Sequence, residues 1–156
     1  MDIREPLFGR ATPWQALPVA PDAFDHVRTA VIRLAGDTPP VRQALLACDE
    51  WIANVASYSG AKRFAFRCLL QDGALLVGFR DDGIPFDPTQ EQDGDPQDFE
   101  SFDLGGMGLG LIRQTAAEMR YAREGDENHL ALRFSLEPPR HPGCVSECAS
   151  HVVEPP

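Results

Sequence analysis

The chain has 156 residues, of which 43% are hydrophobic and 24% charged, and a formal net charge of −10. That length accommodates one domain with a sizeable core, and the acidic balance argues against nucleic acid as the main partner, because phosphate binding calls for a basic surface. No apolar run approaches the ~20 residues needed to cross a bilayer, and the N-terminal residues Met1 to Glu5 lack the basic-then-apolar layout of a secretory signal, so a cytoplasmic protein with no membrane partner is expected.

Residues 1–13 show no period and read as an N-terminal arm. Trp14 to Val19 is predicted as a short edge strand, since Pro13 and Pro18 suit an edge better than a sheet centre. Pro21-Asp22 opens a first helix, in which Ala23, Val27, Ala30, Val31 and Leu34 recur at helical spacing before Gly36 stops it. Thr38-Pro39-Pro40 opens a second. Its buried stripe is Val41, Ala44, Leu45, Cys48, Ile52 and Val55, and Glu50 and Asn54 stand one turn apart beside that stripe. Ser59-Gly60 ends it. Arg63 to Gln71 then alternates as a strand with Phe64, Phe66, Cys68 and Leu70 on one face, and Asp72-Gly73 signals a two-residue hairpin leading to a return strand, Ala74 to Arg80. A helical pair followed by an antiparallel hairpin points to an α+β layered domain, not to alternating parallel units.

From Asp81 to Ile112 the chain has nine Asp or Glu and no Lys or Arg. Its central part has little apolar content and reads as a long loop, a lid over about 88–108. Leu109, Ile112, Ala116 and Met119 resume a helical stripe. Met119 to Arg123 and His129 to Leu136 are predicted as a last pair of strands, joined by a turn over Gly125 to Asn128. The domain is expected to span 14–136, with 137–156 as a tail. Cys48 and Cys68 lie within apolar patterns as small core residues.

Three groups of residues are candidates for chemistry. Glu50 and Asn54 read most simply as a solvated helix face, yet Asn is a poor mid-helix residue. An amide oxygen and a carboxylate one turn apart also suit a hydrated Mg²⁺ and a proton acceptor. Asp81-x-Gly83 at a strand end reads either as a turn or as a base-recognition pair. In the second reading the carboxylate accepts a hydrogen bond from the exocyclic amine of adenine and Gly83 lets the base approach the backbone. Pro85 and Phe86 would close the far side, and Asp87 would hold the loop through local bonds to the backbone. Gly105, Gly106, Gly108 and Gly110 are either a hinge or a set of bare N–H groups at a helix entrance, which attract phosphate. Neither a P-loop nor a strand–GxGxxG–helix unit is present.

Taken together, Glu-x-x-x-Asn, Asp-x-Gly-x-x-Phe-Asp and Gly-Gly-x-Gly-Leu-Gly-Leu resemble the ATP-binding boxes of the GHKL superfamily. The short length, the Pro-Phe-Asp-Pro ending of the second box and the run Gly-Leu-Gly-Leu-Ile-Arg are most similar to its anti-sigma-factor serine/threonine kinase branch. The resemblance covers roughly 14–136. It implies a Bergerat-type α/β sandwich, a mixed, largely antiparallel sheet covered on one face by about three helices, with ATP and Mg²⁺ between the helices and the lid. It also implies roles. Asn54 would ligand Mg²⁺ and Glu50 would act as general base on a serine or threonine hydroxyl. Asp81 would bind adenine beside Gly83 and Phe86. Gly105, Gly106, Met107, Gly108, Leu109 and Gly110 would border the phosphates and hinge the lid. The implied partners are a sigma factor, an anti-anti-sigma protein of the STAS type that is phosphorylated, and a second copy in a homodimer.

The sequence departs from that pattern in three places. Tyr58 stands where relatives often have His, Ala117 where they often have Asp, and the lid has no basic residue. Arg113, Lys62 and Arg63 are the candidates to supply positive charge. A second expectation follows, a weakly catalytic regulator that controls a partner by ATP-dependent association. The ATPase piece of a histidine kinase ranks below both, as no phospho-acceptor helical segment precedes residue 14. In the tail, His141, Cys144, Cys148 and His151 form a symmetric set of soft ligand types suited to Zn²⁺, against the plainer reading of incidental residues in a polar tail.

Overall fold

The computed structural model describes residues 13–90 and 105–137. The expected arm before residue 13, the central part of the expected lid and the tail carrying His141, Cys144, Cys148 and His151 lie outside the described residues.

Among the described residues eight elements follow in order: β1 (Gln15–Leu17), α1 (Ala23–Ala35), α2 (Pro39–Tyr58), β2 (Phe64–Gln71), β3 (Ala74–Asp81), α3 (Gly105–Thr115), β4 (Glu118–Glu124) and β5 (Glu127–Ser135). The strands form one sheet in the order β1-β2-β3-β5-β4. Every pairing in it is antiparallel, where a mixed sheet was expected. The β4–β5 hairpin explains the difference, because it inserts its second strand beside β3 and so runs that strand against it.

Local chemistry sets the element ends. Pro39 and Pro40 occupy the first positions of α2, where a missing N–H costs nothing. Between β2 and β3, Asp72 and Gly73 both have positive φ, 51° and 72°, as a type I′ turn requires. Between β4 and β5 the turn is shorter than expected. Glu124 already pairs with Glu127, so only Gly125 and Asp126 form the loop, and Asn128 belongs to the strand. The third helix also ends earlier than its apolar spacing predicts. Ala117 donates its N–H to the Arg133 carbonyl, and Met119 is a strand residue opposite Leu132.

The helices pack on one face of the sheet. The core joins Val27 and Val31 of α1, Val41, Leu45, Cys48, Trp51, Ile52 and Val55 of α2, and Leu109 and Ile112 of α3 to the inward side chains of β2, β3 and β5. Each large side chain fully buried there contributes roughly 1.5–3 kcal/mol. Leu34 and Leu70, which the spacing assigned to buried faces, are 41% and 42% exposed. The other sheet face carries a small cluster of Leu76 and Ala131 with Leu69. Nearby, the Arg67 and Arg80 guanidiniums lie 4.4 and 4.7 Å from the Trp14 ring.

Candidate functional site

The first two motif regions meet at the end of β3. Asp81 is its last residue and is only 3% exposed. Its Oδ1 accepts the Gly83 N–H at 2.9 Å and the Asn128 Nδ2 at 3.0 Å. No described residue donates to Oδ2. Burial pushes the Asp81 carboxyl above the usual range. The Asn128 amide, the Gly83 N–H and the Arg123 charge oppose that rise, and the Asp82 charge adds to it.

Asp82 has the opposite environment. Its Oδ1 accepts the Lys62 and Arg63 N–H groups at 2.7 and 2.8 Å, and its Oδ2 accepts Arg63 Nε at 3.2 Å. The backbone donors at Arg63 and Lys62, with the Arg63 guanidinium, hold it below the usual carboxylate range. Two adjacent carboxylates are thus pushed apart, one by burial and one by donors. The donor-held one, Asp82, fastens the loop before β2.

Gly83 has a packing reason that the sequence did not reveal. A Cβ placed on it would lie 2.6 Å from both the Cβ and the carbonyl oxygen of Ser59, and 2.8 Å from Asp81 Oδ1. The end of α2 rests directly on this glycine, and Ile84 donates its N–H to the Ser59 carbonyl at 2.9 Å. Phe86 turns inward, with its ring 6.4 Å from that of Trp51 on α2, and is partly buried against the core. Asp87 holds the following turn as expected, its Oδ1 accepting from the N–H and hydroxyl of Thr89 at 2.8 and 2.5 Å.

Glu50 and Asn54 are half-buried on α2, on either side of the Trp51–Phe86 contact in sequence. Neither makes a hydrogen bond or ion pair to another described residue. Among the described residues, nothing competes with a ligand for either side chain. The glycine run lies within α3, at its Gly105 end. Its first N–H groups are the ones a helix leaves without internal partners. Gly110 has open space where a Cβ would stand, so packing alone does not demand glycine there. Leu109 is buried in the shared core. α3 packs on α2, and this brings the helix with Glu50 and Asn54 against the one with the glycines.

Of the three cations expected to meet a phosphate, Arg113 and Arg63 are engaged, whereas Lys62 gives only its backbone N–H, to Asp82. Arg113 donates to the carbonyls of Pro88 (3.2 Å from Nε, 2.9 Å from Nη2) and Gln90 (2.7 Å), and ties α3 to the chain beyond Asp87. Arg63 serves Asp82. Tyr58 is half exposed at the end of α2.

The residues that sequence reasoning missed are on the last hairpin. Asn128, 3% exposed, pairs in register with Asp81, and Tyr121 and Arg123 flank it. The available signal was an Asn, a poor strand former, directly before the apolar alternation of β5. A separate open groove, lined by Asp25, His26, Arg33 and Cys68 among others, contains none of the motif residues. Cys48 and Cys68 are free thiols, both pushed up by burial, which disfavours the reactive thiolate. Among the described residues no cluster of metal-ligating side chains forms, and no helix is long and apolar enough to cross a membrane.

A family profile described as "Histidine kinase-like ATPase domain" matches residues 17–134. No curated protein sequence matches the chain. Among solved structures, it resembles the histidine kinase domain of the blue-light activated histidine kinase from Erythrobacter litoralis EL346. That match has 18% identity and a TM-score of 0.46, and covers 76% of this chain and 61% of that one. It also resembles the Acinetobacter baumannii histidine kinase AdeS, with 16% identity and a TM-score of 0.47, covering 81% of this chain and 68% of that one.

Proposed function

The chain belongs to the family of histidine kinase-like ATPase domains, and on that premise we propose that it is a protein serine/threonine kinase of the anti-sigma-factor type, using ATP and Mg²⁺. The observation that carries the reading is the buried Asp81. One of its oxygens is saturated by Gly83 and Asn128, and the other receives nothing from a described residue. A carboxylate with one oxygen saturated and the other not sealed inside the protein fits the exocyclic amine of adenine, which needs an accessible acceptor. The open amide of Asn54 fits a hard cation, and the first N–H groups of α3, from Gly105 and Gly106 onward, fit the phosphates.

Mg²⁺, when bound, neutralises charge on the phosphates during transfer. Asn54 would hold it. Glu50, one turn earlier on α2, takes the proton of a partner's serine or threonine hydroxyl while that oxygen bonds to the terminal phosphorus and the bond to ADP breaks. Asp81 and Gly83 hold the base, and Phe86, seated on Trp51, fixes the loop that closes over it. The partners of this reading are a sigma factor, which the protein sequesters, and a STAS-type anti-anti-sigma protein, which it phosphorylates, with the protein acting as a homodimer in the cytoplasm.

Incubation with radiolabelled ATP and a cognate anti-anti-sigma protein should label that protein. Glu50→Ala should abolish labelling and keep nucleotide affinity. No labelling by the parent, with ATP binding intact, would refute the kinase reading. One observation favours a second reading, a weakly catalytic regulator. Arg113 and Arg63 are committed to the Pro88 and Gln90 carbonyls and to Asp82, which leaves Lys62 alone of the three expected cations, whereas phosphoryl transfer depends on positive charge near the transferred group. In that case Glu50→Ala would leave control of the partner unchanged in cells.

A further inference from the structure

We infer that Asn128 is a positioning residue for nucleotide recognition. With Tyr121 and Arg123 it clasps residues 83–86 and fixes the rotation of the Asp81 carboxylate. The inference rests on the reading of Asp81 as the adenine acceptor.

The clasp is built from the last hairpin onto the end of β3. Asn128 Nδ2 donates to Asp81 Oδ1 at 3.0 Å and to the Ile84 carbonyl at 2.8 Å, and the Gly83 carbonyl lies at 3.4 Å. Asn128 Oδ1 accepts the Tyr121 hydroxyl at 2.6 Å and the Phe86 N–H at 3.4 Å. Arg123 Nη1 donates to the Gly83 carbonyl at 2.7 Å. Only this orientation of the amide works. Turned over, its oxygen would face a carboxylate and two carbonyls, and its NH₂ would face the Phe86 N–H. The polar groups of the Asn128 side chain are therefore spent on this loop, on the Tyr121 hydroxyl and on one carboxylate oxygen.

The consequence is directional. With Oδ1 pinned by Asn128 and Gly83, the carboxylate cannot rotate freely, and Oδ2 is the acceptor left over. An ionised carboxylate selects a base that presents an amine, as adenine does. Guanine presents a carbonyl at the same position and would need a donor. Among the described residues, the charged groups acting on Asp81 are Arg123 from β4, which favours ionisation, and Asp82 beside it, which opposes it; no charged group of the helices acts on it, and the Tyr121 hydroxyl reaches it only through Asn128. Asn128 leads the groups that offset burial. Without it, Asp81 takes up a proton at higher pH. A protonated carboxyl donates instead of accepting, so adenine loses its advantage over guanine.

The test measures binding of ATP and of GTP, each with Mg²⁺, to the full chain between about pH 5 and pH 8. Asn128→Leu removes the clasp while keeping an apolar filling. It is expected to weaken ATP binding about tenfold near neutral pH, to move the pH at which ATP affinity falls upward, and to reduce the ATP-to-GTP preference. Tyr121→Phe removes one anchor of the amide and leaves Asp81 and its neighbours in place, so it is expected to move both readouts in the same sense by less, and it decides the matter if Asn128→Leu does not fold. Unchanged ATP affinity would overturn the inference. So would uniformly weaker binding with the pH midpoint and the preference unmoved, because that is what a merely structural residue gives. A parent chain that binds no ATP would overturn the ATP-site reading itself, and this inference with it.

Discussion

Gly83→Ala separates two reasons for a glycine. If Gly83 supplied only backbone freedom, alanine would stabilise the fold by about 0.4–1 kcal/mol, since its φ is outside the left-handed range and the unfolded chain would lose entropy. The contacts predict the reverse. The new Cβ would sit 2.6 Å from the Ser59 carbonyl oxygen and Cβ and 2.8 Å from Asp81 Oδ1; the first two belong to or adjoin the backbone, and the third is held in place by Asn128. The end of α2 must move off the loop. Overpacking of this kind costs about 1–3 kcal/mol, and separation breaks the Ile84-to-Ser59 hydrogen bond, worth roughly 0.5–1.5 kcal/mol. Net of the entropic gain, destabilisation is about 2 kcal/mol, or roughly 8 °C in Tm for a domain of this size. Thermal unfolding followed by circular dichroism measures it. The companion variant Ser59→Gly should recover part of the loss, because it removes one of the two 2.6 Å contacts and leaves the carbonyl. A Gly83→Ala protein as stable as its parent, or more so, would refute the packing argument.

Two further outcomes follow from the same geometry. Because burial raises the Asp81 carboxyl in the folded state, the native chain holds its proton to higher pH than the unfolded chain does. Its contribution to stability therefore falls as pH rises from the ordinary aspartate value through the raised one. Asp81→Asn should then lose nucleotide affinity and yet be at least as stable as the parent at neutral pH, with that pH slope gone; a clear loss of Tm would show the charge to be a structural asset instead. Arg113→Ala removes the donors to the Pro88 and Gln90 carbonyls, and should cost about 1–3 kcal/mol while speeding amide exchange at Thr89 and Gln90. Unaltered exchange there would mean that the Arg113 contacts do not hold this segment.

Much of the site is written in local order. Glu50 and Asn54 are one turn apart on a helix whose apolar stripe is continuous, so their shared face follows from period alone. The α2 stripe from Val41 to Val55 is buried as its spacing requires, and Asp72-Gly73 adopts the turn its residue types demand. Asp87 binds Thr89 two residues on, a contact that needs no tertiary partner. Where the reading slipped, the cause was a long-range competitor. Met119 fits both a helical period from Leu109 and the start of the expected strand, and pairing of Glu118 with Arg133 and of Met119 with Leu132 claims it for the sheet, in a strand that begins one residue before the expected start. Asn128 fits a turn by composition, but tight closure at Gly125-Asp126 puts it in a strand.

The sequence by itself therefore determined the elements, the helix face with Glu50 and Asn54, the strand-end carboxylate and the resemblance that joins them. Only the tertiary structure decided what surrounds that carboxylate. The sheet order sets β5 beside β3, which brings Asn128 onto Asp81 from 47 positions away in the chain, and the docking of α2 on the strand end makes Gly83 a contact residue. The reason is physical. Period and turn chemistry act over a few residues, whereas strand order and helix docking are settled by which apolar faces bury each other, and that information is spread over the whole chain.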